Sequence, residues 1–433
     1  MTTNSTPNRA DGAISRRDFT RATAATLVAS PFAIRHSAHA ASTETLHVGL
    51  IGCGGRGTGA AAQALTADPN VVITALADVF ADRVTSRRQQ LTEQFGERIR
   101  VPDERCFSGF DAYQQLIDSD VDVVLLATPP HFRPAHLAAA VAANKHVFCE
   151  KPMAVDVPGI LSVQESARQC AAKGLSLVSG FCWRYNPPER ACFAELHGGR
   201  IGDIRSVHST YLAGPLGRNP RQDGWSDMEW QLRNWWHFCW ISGDHLVEQA
   251  VHSVDKINWA MQDVAPVSVS ALGGRGVRSG PESGNVFDHF TVVYEYESGA
   301  RCFLTARQQP NCGFDNTDYL LGTDGDCYIN SWGPTQDVRG PNAWQYDGEY
   351  ANMYQVEHDE LFASIRANAP MNDGEWMTLS TLMAIAGRMS AYTGQSLSWE
   401  QVLSSKQRLG PTAYDWGDVN ALPIPEPGTT PFI

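Results

Sequence analysis

Leu46-His47-Val48-Gly49-Leu50-Ile51-Gly52-Cys53-Gly54-Gly55-Arg56-Gly57 is the stretch that decides the fold. A short apolar run ends in a GxGxxG loop, and a helical pattern follows over residues 57–67. Gly52 permits the tight turn, Gly54 lets a pyrophosphate approach the backbone, and Gly57 allows close helix packing. The phosphates then lie on the helix N-terminus, beside Gly55 and Arg56, where free N–H groups and the helix dipole favour negative charge. Glycine-rich turns are common, so a second signal is needed. Asp78 supplies it at the end of the next apolar run, about 20 residues after the glycines. Its carboxylate can accept both adenosine-ribose hydroxyls, although a helix N-cap before Phe80 would also use an acid. An acid there repels a 2′-phosphate, which favours NAD, while the nearby Arg83 keeps NADP open.

Outward from this loop, β-branched runs alternate with helical stretches. Residues 46–51, 71–77, 121–127 and 146–149 read as strands, and residues 57–67, 81–95, 111–119 and 134–143 as helices. The pattern is that of a doubly wound parallel sheet, an α/β Rossmann domain over 45–180. Beyond Val178 the pattern changes. Alternating runs over 204–212, 267–272, 287–296, 300–308 and 318–321 predict an α+β domain over 181–433 with a large, mostly antiparallel open sheet. The Gly-, Asn- and aromatic-rich stretch over 332–354 reads as a long loop, and the Pro-rich tail after Leu422 offers no chemistry of its own.

A chain of 433 residues exceeds the usual single core, which agrees with two domains. A formal net charge of −13 argues against nucleic acid or an anionic membrane surface as the main partner. No run of about 18 uncharged apolar residues appears, so no membrane insertion is expected. The 10 cysteines are scattered singly, without CxxC or finger spacing, and read as buried thiols with no metal site among them. Ser15-Arg16-Arg17-Asp18-Phe19, a weakly apolar run over 22–34 and Ala38-His39-Ala40 resemble a twin-arginine export signal over 1–40. Such a leader implies a periplasmic or other extracytoplasmic location and export in the folded state. Free NAD is scarce there, so the cofactor is expected to be held tightly and regenerated in each cycle.

Ala127-Thr128-Pro129-Pro130-His131 follows the strand over 121–127, and Glu150-Lys151-Pro152 follows that over 146–149. Together with the glycine loop, these motifs resemble the Gfo/Idh/MocA oxidoreductases over nearly the whole chain after the leader. The resemblance implies that Thr128 and Pro129 line the nicotinamide pocket and that Lys151 enters the active site beside Glu150. His131 is a further cofactor contact, while His136 reads as a packing residue. A lysine at the carboxyl end of a parallel strand lies where such sheets bind ligands, and its ammonium can favour a developing alkoxide. Outside this motif, a surface lysine would be the simpler explanation. The resemblance also implies an oligomer, a dimer or tetramer, built through the open sheet.

In the second domain, Asp244, Glu248, His252 and Asp255 are spaced by four, four and three, which predicts one stripe of a single helix. A histidine flanked by carboxylates suits general acid/base work, although ordinary helical salt bridges share the spacing. The resemblance implies that Glu248 and His252 join Lys151 in proton transfer, with glutamate where the family usually has aspartate and Gly243-Asp244-His245 in place of its glycine run. Trp225, Trp230, Trp235, Trp236, Phe238 and Trp240 lie just upstream. Aromatic faces pack on the apolar faces of sugar rings, and they equally form cores and subunit contacts. Trp235 and Trp236, with Arg184, Tyr185, His252 and Asp255, are therefore the candidate substrate-binding set. The expected activity is NAD(P)-dependent oxidation of a secondary hydroxyl of a sugar or sugar derivative, His252 taking the proton, Lys151 stabilising the oxyanion and Glu248 positioning the imidazole. Two other readings stay open: a redox-neutral NAD-dependent glycosidase or epimerase, and a non-catalytic dinucleotide-binding protein.

Overall fold

β1 (Leu46–Ile51) is buried from Val48 onward on both faces, and such a strand belongs in the middle of a parallel sheet. A computed structural model describes residues 44–333, 335–420 and 422–433, so the expected leader over 1–40 lies outside the described residues. β1 pairs in parallel with β2 (Val71–Asp78) on one side and β4 (Val123–Leu126) on the other. β3 (Cys106–Ser108), β5 (His146–Cys149) and β6 (Leu177–Ser179) complete a six-stranded sheet of order β3-β2-β1-β4-β5-β6. The order reverses direction between β1 and β4, and a crevice opens above that point at the carboxyl ends of the strands. Helices α1 (Gly55–Ala67), α2 (Ala81–Phe95), α3 (Ala112–Ile117), α4 (Arg133–Ala142) and α5 (Val157–Ala172) wind the sheet. The sequence periods found β1, β2, β4, β5 and helices α1 to α4; they missed α5 and β3, whose three residues are too few to show a period.

After α6 (Pro187–His197) and β7 (Ile204–Ala213), a group of short helices forms the far wall of the crevice. These are α7 (Asp227–Arg233), α8 (Cys239–Ser242), α9 (His245–Glu248) and α10 (Val251–Ala260). The second sheet then follows: β8 (Ser268–Gly274), β9 (His289–Glu295), β10 (Arg301–Gln308), β11 (Thr317–Gly322), β12 (Asp326–Asn330), β13 (Thr335–Arg339) and β14 (Trp344–Gln345). With β15 (Leu397–Ser398) the order is β14-β13-β12-β11-β7-β10-β9-β8-β15, antiparallel throughout except for the β7–β10 pair. β9 and β10 alternate buried and part-exposed residues, so one face of the sheet packs on the core and the other stays open. The stretch over 332–354 is not a plain loop: β13 and β14 extend the sheet edge there, with Gln336 and Val338 turned inward. Their alternation is polar and short, which hid it. α11 (Met353–Arg366) packs on α1, and α12 (Gly374–Thr393) lies between α5, α10 and β8. α12 is buried along nearly its whole length, as a helix apolar on all sides must be. α13 (Trp399–Ser404) closes the run of elements with a capping box from Ser398 and Gln401.

The expected single helix from Asp244 to Asp255 is broken. α9 ends at Glu248 and α10 starts at Val251, while Asp244 stands outside both with φ of 78° after Gly243 at 79°. The buried Asp244 carboxylate accepts the His245 and Phe287 N–H groups and the Tyr392 hydroxyl, which holds it in this left-handed turn. The stripe of four therefore separates: only Glu248 and His252 face the crevice.

Arg184, Tyr185 and Asp255 do not line the crevice. Arg184 and Tyr185 sit in a short 3-10 turn, Cys182–Tyr185, with Arg184 sandwiched between Trp259 and Trp376 at 5.0 and 4.4 Å. Its guanidinium donates to Asp255 at 2.9 Å and Asp263 at 2.6 Å, and Tyr185 donates to Asp373 at 2.5 Å. Ser380 of α12 donates to the same Asp255 oxygen at 2.7 Å. Burial lowers the proton affinity of Arg184, and the two aspartates more than offset it. Arg184→Met would leave Asp255 buried without its cation, at an expected cost of about 3–5 kcal/mol. The measurement is a urea unfolding curve with a lowered midpoint; unchanged stability together with a raised KM would return Arg184 to substrate binding.

Candidate functional site

The crevice is a cleft of about 920 Å³ that runs from Asp78 past the glycine loop to Lys151, Glu248 and His252. The loop is shaped by the strand–helix junction beneath it. Gly52 has φ of 100°, and a Cβ there would lie 2.6 Å from the Ala127 backbone. A Cβ on Gly57 would lie 1.9 Å from the Gly52 carbonyl oxygen. Gly54 and Gly55 differ: a Cβ on either meets nothing within 4 Å, because their faces look into the cleft. α1 starts here with no side chain capping it, so its first-turn N–H groups and dipole are directed at whatever occupies the cleft. These features fit a dinucleotide pyrophosphate.

Asp78 lines the cleft at the end of β2, with its oxygens accepting the Cys53 N–H at 2.8 Å and the Phe80 N–H at 3.0 Å. The carboxylate thus both braces the glycine loop and keeps acceptor capacity toward the cleft. Burial raises its pKa, and Arg83 opposes that shift. Arg83 and Arg87 line the same end.

Arg56 and Glu150 line the cleft, but they act on each other. Arg56 Nε donates to Glu150, its Nη2 reaches Glu357 of α11 at 3.1 Å, and the guanidinium lies 5.0 Å from the Tyr354 ring. One arginine therefore serves two buried carboxylates and ties the glycine loop to α11. Burial and Glu150 still push the Glu357 carboxyl well above its ordinary pKa.

At the other end of the cleft stand Thr128, Pro129 and His131. Thr128 Oγ1 lies 3.3 Å from His136 Nδ1, and His136 stacks on Tyr113 at 4.0 Å as a packing residue. Burial pushes His136 down to about 3 and His131 to about 4, so both rings are neutral at working pH. His131 Nε2 lies 2.7 Å from the Tyr414 hydroxyl.

Lys151 leaves the parallel sheet just after β5 across a cis Lys151–Pro152 peptide. Its Nζ donates to the Glu248 carbonyl at 2.5 Å and to Glu248 Oε1 at 3.1 Å. One of its three donors remains for a ligand. Glu248 serves Lys151, and among the described residues no hydrogen bond joins it to His252. The expected role of Glu248 as the orienter of the imidazole is thereby corrected: α9 ends at Glu248, and the break before α10 turns its side chain toward the lysine. Burial raises the Glu248 pKa, and Lys151 opposes it. His252 Nδ1 is buried without a partner, and Phe181 meets the ring edge-on at 6.1 Å. Burial, then Lys151, then Lys256 push the His252 pKa well below its ordinary value. Glu248 and Asp255, the carboxylates one turn away on either side, are engaged with Lys151 and Arg184, so the His252 imidazole is neutral.

Of the upstream aromatics, Trp235 and Trp236 stack at 3.9 Å and line the cleft. Phe238 and Trp240 are core residues. Sequence reasoning missed Phe110, Tyr354 and Tyr414, which also line the cleft. Phe110 comes from a loop and Tyr414 from the tail, where no period marks a residue, and Tyr354 from the first turn of α11.

A family model described as "Oxidoreductase family, NAD-binding Rossmann fold" matches residues 46–177, and the family's C-terminal domain model matches residues 193–327. The chain belongs to the Gfo/Idh/MocA oxidoreductases. An inositol 2-dehydrogenase of Acidothermus cellulolyticus is 25% identical over 351 residues, covering 79% of this chain and 92% of that relative. Inositol 2-dehydrogenase 3 of Saccharopolyspora erythraea is 28% identical over 338 residues, covering 77% and 88%. The crystal structure of an aldose–aldose oxidoreductase from Caulobacter crescentus superposes with a TM-score of 0.63 at 20% identity, over 82% of this chain and all of that one, and shares the fold. The chain is thus an enzyme of the NAD(P)-dependent oxidoreductase class, and its Rossmann half is the cofactor domain.

The two kinds of glycine predict different losses. Gly57→Ala forces a backbone clash and is expected to lower both the thermal midpoint and dinucleotide affinity, while Gly54→Ala lowers affinity alone, at least tenfold by fluorescence titration. Equal unfolding of both variants would contradict the assignment. The acid limb of kcat/KM reports protonation of the free enzyme's base. Because the His252 pKa is depressed, the base stays unprotonated as pH falls through 6.5, and the limb is expected below that value; a limb at or above 6.5 would contradict a buried, neutral His252.

Proposed function

We propose that this chain oxidises a secondary hydroxyl of a sugar or sugar derivative with a tightly held NAD(P). The observation that carries the reading is the meeting of Lys151, from the end of a Rossmann strand, with Glu248 and His252, from the helices opposite, at the mouth of the glycine-loop cleft. The nicotinamide, when bound, supplies hydride transfer. Lys151 donates its remaining N–H to the reacting oxygen and favours its negative charge. His252 accepts the hydroxyl proton at Nε2, since Nδ1 is buried. Glu248 holds the lysine in place from one side, and Trp235 and Trp236 offer apolar faces to a sugar ring. The names of the inositol dehydrogenases to which the chain is similar support a polyhydroxylated ring as substrate class.

Asp78 supports NAD as the preferred cofactor, against the pull of Arg83 and Arg87. The twin-arginine pattern over 1–40 supports export, and scarce cofactor outside the cytoplasm supports retention through each cycle. The open face of the second sheet presents Leu272, Tyr319 and Leu321, which supports a homo-oligomer formed by that face. Domain limits of 45–180 and 181–433 accord with the change from one sheet to the other. A redox-neutral reading, hydrolysis or epimerisation by transient oxidation, is favoured by the same leader, because such a cycle needs no external cofactor pool.

Lys151→Ala and His252→Ala are each expected to reduce kcat at least a hundredfold with the dinucleotide still bound, measured by absorbance at the reduced nicotinamide band across a panel of sugars and cyclitols. Near-normal turnover in either variant would refute these roles. Incubation of the purified enzyme with aryl glycosides and no added NAD separates the two chemistries, since leaving-group release without net absorbance change indicates the redox-neutral cycle.

A further inference from the structure

Residues 405–433 lie outside both matched family regions, yet they reach the cleft. After α13 the described residues have no regular secondary structure, but the segment is pinned on both sides of the crevice. On the Rossmann side the Leu409 N–H donates to Asp156 Oδ2, the N-cap of α5, at 2.9 Å. On the opposite side Gly417 accepts the Met228 N–H at 3.2 Å, and Val419 accepts Gln231 Nε2 at 2.9 Å, both from α7. Between these anchors the segment crosses the cleft. Gly410, at φ of 99°, lets it pass His131 closely: a Cβ there would lie 2.5 Å from the ring.

Two aromatic residues ride on this crossing. Tyr414 reaches His131 with its hydroxyl and stacks on Phe110 at 5.8 Å, so one side chain spans from the end of β4 to the loop after β3. Trp416 packs on Phe110 at 4.9 Å and on Phe80 at 5.7 Å. Phe80 follows Asp78 by two residues, at the end of the cleft assigned to the adenosine ribose. Tyr414 and Trp416 remain 42% and 46% exposed.

We propose that residues 410–417 form a strap that retains the cofactor, with Trp416 beside the adenosine end and Tyr414 between Phe110 and His131 as cofactor-positioning residues. The proposal rests on the dinucleotide reading of the cleft. A dinucleotide enters or leaves only when the Tyr414–His131 and Trp416–Phe80 contacts part, because they hold the strap, anchored to α7 at Gly417 and Val419, against the Rossmann wall. Among the described residues no hydrogen bond or ring contact joins the strap to Lys151 or His252 at the substrate end. Substrate and product therefore exchange while the cofactor stays.

The test is release of bound NADH from the purified full chain, followed by loss of its fluorescence after dilution into excess NAD. Tyr414→Ala combined with Trp416→Ala is expected to speed release at least tenfold, and Tyr414→Phe, which keeps the ring and loses only the His131 contact, by a smaller factor. Release as slow in the double variant as in the parent would overturn the strap. Should the alanine variants fail to fold, hydrogen exchange of residues 408–420 in the parent decides: slowing on NAD addition supports the strap, and exchange unchanged by saturating NAD overturns it. A parent chain that binds no dinucleotide would overturn the reading beneath it as well, which separates the two failures.

Discussion

The ion pair between Lys151 and Glu248 is the contact on which the site depends. Lys151 stands where the parallel sheet ends, and Glu248 where a helix of the second domain ends, so the pair fixes one domain's edge against the other. Both groups are largely buried, at 14% and 5% side-chain exposure. Removing either partner from such a pair leaves an uncompensated charge, so the geometry is held by penalty as much as by attraction. With Glu248 committed to the lysine, His252 is left neutral beside a cation, in the state a proton acceptor needs.

The same economy recurs around the cofactor cleft. Arg56 answers Glu150 and Glu357 together, Asp78 braces the glycine loop with one set of lone pairs, and Arg184 gathers Asp255 and Asp263 between two tryptophans. These groups find their partners across sequence distances that local pattern does not reveal.

Much of the fold was legible because it rests on short-range rules. The glycine loop, the acid ending β2 and the alternation of strands and helices are local signals, and each found its element. The Glu150-Lys151-Pro152 motif led to the right end of the cleft by resemblance rather than by spacing. The failures were physical. Spacing of four, four and three describes one helix only while the backbone stays helical, and Asp244 leaves that path because Tyr392 and Phe287, far along the chain, bind its carboxylate. Arg184 and Asp255 carry side chains suited to a sugar, but their choice of each other depends on Trp376 and Ser380 of α12, which no period connects to them. Tyr414 was out of reach for the same reason: an irregular segment gives no phase from which to infer where a ring points.

All ten cysteines are unpaired thiols, and eight of them are buried. None of the architecture depends on a covalent cross-link, since the packed sheets and the paired charges supply its cohesion. The described fold is thus complete with its thiols reduced, and the buried sulfurs of Cys192 on α6 and Cys327 on β12, 3.5 Å apart, are near enough for an oxidant to join them.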